Sequence, residues 1–69
     1  MTKQDAIAQA LGAGATMAEI ELEASYQAHR VGTVPFRNMI KALQMLPYFN
    51  TRADWVRLAA ALIAKGRKP

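Results

Sequence analysis

The sequence predicts an all-α protein, a compact bundle of four short helices. Three observations carry that expectation. Four threonines (Thr2, Thr16, Thr33 and Thr51) each stand where a helical pattern of apolar residues begins. Alanine supplies 14 of the 36 hydrophobic residues, which favours thin, closely packed helices because alanine has the best helix propensity and little side chain to bury. The chain also lacks an Asn-Gly or Asp-Gly hairpin turn.

The first helix is expected over about 3–11. Thr2-Lys-Gln-Asp5 places an acid three residues after the cap, where it can reach back to the cap amide and complement the helix dipole. Ile7, Ala10 and Leu11 would face the core, and Gly12-Ala-Gly14-Ala would form the turn. The second helix, about 17–30, opens on the standard capping box Thr16-Met-Ala-Glu19. Met17, Ile20, Ala24, Ala28 and Val31 form its expected core stripe, and Gly32 its left-handed terminator.

The third helix, about 34–46, has the most complete amphipathic pattern in the chain. Phe36, Met39, Ile40, Leu43 and Leu46 recur at helical spacing, whereas Arg37, Lys41 and Gln44 lie on another face. Pro35 suits a first turn, and Pro47 enforces the stop. The fourth helix, about 52–65, starts at Thr51-Arg-Ala-Asp54, buries Trp55, Leu58, Ala59, Leu62 and Ile63, and ends at Gly66. One domain, residues 1–66, is expected, followed by a basic tail over 67–69.

Size and composition bound the function. A chain of 69 residues buries a marginal core, so regular helix packing or association with a second copy is expected to reinforce it. There is no cysteine, and His29 is the single histidine, so neither a disulfide nor a conventional zinc site is expected, and no cofactor. No run approaches the roughly 20 apolar residues of a membrane span, and the opening Met-Thr-Lys-Gln-Asp does not read as a signal peptide. The expectation is a cytoplasmic protein with no membrane partner.

Charge is divided unequally. Residues 1–32 carry −2 and residues 33–69 carry +6, for a net +4. Such asymmetry points to a polyanion partner for the basic half, or to complementary contact between protein surfaces. The order helix, glycine-containing turn, helix over 16–46 has the outline of a helix-turn-helix, although the chain's second helix is a turn or more too long for a compact one. In that outline Arg37, Asn38, Lys41 and Gln44 would meet base edges. Arg52, Arg57, Lys65, Arg67 and Lys68 would grip phosphates. The bland alternative is that these are simply the wet faces of helices.

The favoured expectation is a small DNA-binding, transcription-regulating protein acting as a homodimer. The alternative is a protein-interaction module, an inhibitor or adaptor such as mobile elements encode. It would act through Leu22, Tyr26 and His29, a second apolar stripe on the second helix, and through Tyr48 and Phe49. Catalysis is not expected. Glu21, Ser25 and His29 are the residue types of a hydrolase triad, but their order along one helix puts the serine between acid and histidine.

Overall fold

The structure is a computed structural model that describes residues 1–45 and 51–67. Among these residues the chain forms α1 (Lys3–Gly12), α2 (Met17–Gln27), a 3₁₀ turn (Ala28–Arg30), α3 (Val34–Met45) and α4 (Arg52–Arg67), with no strand. The all-α expectation holds, and each helix starts within a residue of its expected position. None of these helices is long and apolar enough to cross a membrane.

All four threonines cap a helix. The Thr2 hydroxyl accepts from the Asp5 amide at 3.2 Å, and the Asp5 carboxylate accepts from the Thr2 amide at 3.0 Å, completing a reciprocal box. At Thr16, where the glutamate makes the standard box motif, only half of it forms. The hydroxyl accepts from the Glu19 amide at 3.2 Å, but the Glu19 carboxylate takes the Thr16 hydroxyl and the guanidinium of Arg52. The longer glutamate has been drawn to a cation on another helix. Thr33 accepts from the Phe36 amide at 3.2 Å and donates to the Arg30 carbonyl at 2.7 Å, joining the 3₁₀ turn to α3.

Helix ends show three departures from the expected boundaries, the first being α2, which stops at Gln27 and gives way to the 3₁₀ turn instead of running to about 30. Gly12 stays within α1, and Gly14 takes the left-handed conformation, φ 99°. The Gly14 amide donates to the Leu11 carbonyl and the Ala15 amide to the Ala10 carbonyl, the paired bonds of a Schellman stop. Buried Ala15 lies beside buried Ala10. The third departure is at Gly66, which does not end α4; the helix runs on to Arg67, a residue expected in the tail.

The core is centred on α4, which packs against α1, α2, α3 and the 3₁₀ turn. Leu58, Ala59, Ala60 and Ala61 are consecutive and fully buried, with Ile63 and Ala64 beyond them. Successive helical residues turn by about 100°, so four buried in a row need neighbours around most of the circumference. Alanine's small side chain permits that close approach. The expected α4 stripe captured Leu58, Ala59 and Ile63 but omitted Ala60, Ala61 and Ala64, and Trp55 and Leu62 are only half-buried.

The other helices contribute narrower stripes. On α1, Ala6 and Ala10 are buried, Ile7 is half-buried, and Leu11 is exposed, contrary to expectation. On α2, Ile20 and Ala24 are buried as expected, but Met17 and Ala28 are exposed, and Gln27 takes the inner position. The Ala28 amide still donates to the Ala24 carbonyl, and at about 100° per residue Gln27 falls about 20° from Ile20 whereas Ala28 falls about 80° away. Phe36, Ile40 and Leu43 anchor α3, with Met39 half-buried; Leu46 and Pro47 lie outside the described residues.

Candidate functional site

On α3 the buried stripe is narrow, leaving Val34, Arg37, Asn38, Lys41, Gln44 and Met45 exposed. Arg37, Lys41 and Gln44 fall within about 60° of one another around the axis, and Asn38 lies about 100° from Arg37. Among the described residues none of these four polar side chains has an ion pair or a side-chain hydrogen bond. Their availability follows from the pattern of α3, whose few large apolar residues hold the helix while the rest of its surface stays wet.

The cations of α4 are placed differently. Arg52 pairs with Glu19, Arg67 pairs with Glu21 at 2.8 Å, and Arg57 lies 3.7 Å from Asp54 on its own helix. Glu19 and Glu21 are two residues apart, so they leave α2 on nearly opposite sides. Their partners are the first and last residues of α4. The acidic half of the chain is therefore spent partly on the basic half, within one molecule. Lys65 is exposed and has no ion pair among the described residues. Lys68 lies outside them.

Arg37 and Lys65 are 28 residues apart in sequence, yet both line a cavity of about 420 Å³ between the turn before α3, α3 itself and the end of α4. Its other walls include Val31, Val34, Phe36 and Ile40. Phe36, Ile40 and Val31 are expected core residues and Val34 is not, because amphipathic spacing reports which residues point inward and not where packing stops short. A second cleft, about 230 Å³, brings Glu19 and Glu23 against Arg52 and Arg57, so its charges largely answer each other.

The apolar stripe of α2 is on the surface. Leu22 is 75% exposed and Tyr26 66%, and His29 is exposed on the 3₁₀ turn that follows. Ile20-Glu-Leu-Glu-Ala-Ser-Tyr26 alternates apolar and polar residues with a strand-like period. Wound as a helix, that alternation sends Ile20 and Ala24 inward and Leu22 and Tyr26 outward. Tyr48 and Phe49 lie outside the described residues.

The triad-like residues have other partners. The Ser25 hydroxyl donates to the Glu21 carbonyl at 3.2 Å, and the Glu21 carboxylate accepts from Arg67. No cluster of three or more histidine or acidic side chains with metal-binding geometry occurs among the described residues. A comparison with models of protein families, with curated proteins and with solved structures yields no match.

Proposed function

We propose that the protein is a small DNA-binding, transcription-regulating protein that lays α3 against a groove. The observation carrying this reading is the contrast in partners. Arg52, Arg57 and Arg67 are answered by carboxylates, whereas Arg37, Lys41 and Lys65 have none among the described residues. The net positive charge remaining after internal pairing thus includes the cations of α3 and the end of α4. A three-turn helix exposed over most of its girth can enter a major groove about 12 Å wide. Arg37, Lys41 and Gln44 would meet guanine, phosphate and adenine groups, and exposed Val34 and Met45 could contact thymine methyls.

The helix-turn-helix outline is modified in this reading. Both α2 and α3 take α4 as their main packing partner, so α4 would support the recognition helix. Surface ion pairs contribute little, and Arg52 and Arg57 could exchange a carboxylate for a phosphate. Fluorescence anisotropy with a labelled duplex, titrated over salt, tests the proposal. Three to four phosphate contacts give a log–log salt slope of about −3 to −4. Undetectable binding at low ionic strength would sink it.

A second reading is supported by a different observation, the 75% and 66% exposure of Leu22 and Tyr26. Here the stripe Leu22–Tyr26–His29 is a protein contact, either between two copies of the chain or with another protein. Sedimentation of the purified chain with and without Leu22→Glu separates self-association from a monomer. A wild-type monomer at all accessible concentrations would remove the homodimer.

A further inference from the structure

We infer that the cavity between α3 and the end of α4 binds a small amphiphilic anion, an aliphatic or aromatic carboxylate, with its apolar body inside and its charge on Arg37 and Lys65. Ligand pockets have volumes of roughly 300–1,000 Å³ and mostly apolar walls with a few convergent polar groups. This one measures about 420 Å³ and is walled by Val31, Val34, Phe36 and Ile40. Phe36 and Ile40 belong to the core, so the cavity floor is held by the fold itself. Val34, by contrast, is 57% exposed in the first turn of α3, where a polar residue would be the ordinary choice.

Charge complementarity decides the ligand class. The two cations come from different helices, no carboxylate lines the cavity among the described residues, and neither cation has an ion pair there. Charge-assisted hydrogen bonds from a guanidinium and an ammonium would satisfy a carboxylate, while its chain covers exposed apolar wall. A neutral amphiphile would leave the cations unanswered, and a short anion would leave the walls wet. Arg37 and Lys65 also serve the DNA reading, but carboxylate binding at this cavity is measured without nucleic acid and stands or falls separately.

The test is a titration of the full chain with octanoate, alongside 1-octanol (same length, uncharged) and acetate (same charge, no chain), followed by amide chemical shifts. Octanoate should saturate with a Kd of about 1 mM or tighter, with shifts clustered at residues 31–40 and 62–65. It should bind at least about ten-fold more tightly than either control. Lys65→Gln, at an exposed position, should weaken octanoate about five-fold and leave 1-octanol unchanged. Val34→Ser should weaken both octanoate and 1-octanol. Equal binding of octanoate and 1-octanol, an unaffected Lys65→Gln variant, shifts centred on Leu22 and Tyr26, or no saturation by about 10 mM would each overturn the assignment.

Discussion

One guanidinium nitrogen of Arg67 donates to both carboxylate oxygens of Glu21, at 2.8 and 3.0 Å, joining the last turn of α4 to the middle of α2. Arg52 reaches Glu19 from the other end of α4. The two pairs straddle α2 and tie it to both ends of the hub helix. Both are about half-exposed, so each should contribute about 0.2–1 kcal/mol and less in high salt. A double-mutant cycle with Arg67→Ala and Glu21→Ala in urea should give a coupling in that range. Hydrogen exchange should show the last turn of α4 fraying in Arg67→Ala, because Gly66 disfavours helix without that tether.

The core should respond very unequally to truncation. Leu58→Ala removes a fully buried side chain from the hub and should cost about 2–5 kcal/mol, enough to unfold much of a domain this small. Leu22→Ala should change stability by less than about 0.5 kcal/mol, because that side chain is already in solvent. Thermal melts of the two variants compare a leucine inside with a leucine outside.

Gln27 is 98% buried by residue, and its amide donates to Glu23 at 2.8 Å, but its carbonyl Oε1 has no partner among the described residues. An unpaired buried acceptor costs about 1–3 kcal/mol. Gln27→Met keeps the length and volume without that atom and leaves half-buried Glu23 to solvent and to the cations of its cleft, Arg52 and Arg57. The variant should be more stable than the parent by about 1 kcal/mol. A higher urea midpoint at an unchanged slope is the expected result, and a lower midpoint would contradict it.

The first-turn carboxylate predicts a pH dependence. Hydrogen bonds from the Thr2 amide and hydroxyl hold Asp5 below the usual aspartate range. A group lowered in the folded state contributes stability above its unfolded pKa and loses it as pH falls through the folded one. The advantage of the parent over Asp5→Ala should therefore be constant near neutrality and shrink in acid below the usual aspartate range. Urea midpoints of the two proteins from neutral to acid pH check this.

If α3 enters DNA, single substitutions should divide by role. Arg37→Ala should cost about 1–3 kcal/mol on the preferred sequence and relax preference there. Lys41→Ala or Lys65→Ala should weaken all duplexes alike and reduce the salt slope by about 0.9 where the residue contacts a phosphate. Competition anisotropy with specific and random duplexes distinguishes the two patterns.

By itself the sequence determined the fold class and the four helix starts, because capping and period are local. A threonine three residues before an acid, or before Pro35 and Phe36, acts within a single turn. Gly32 was legible for the same reason: only backbone conformation is at stake. Which helix is central was not legible. Arg37 and Phe36 lie on the most amphipathic segment, α3, but amphipathicity marks a helix with one side in water. The hub is α4, whose consecutive Ala59, Ala60 and Ala61 show no narrow stripe because neighbours cover most of its circumference there.

Only the tertiary structure decided which charges remain available. Nothing local to Arg52 or Arg67 announces that Glu19 and Glu21, 33 and 46 residues away, will answer them. The same long-range packing brings Lys65 to the cavity that Arg37 lines. Local chemistry sets where helices begin and which residues can face inward. Contacts between residues distant in sequence set which side chains are left to meet a ligand.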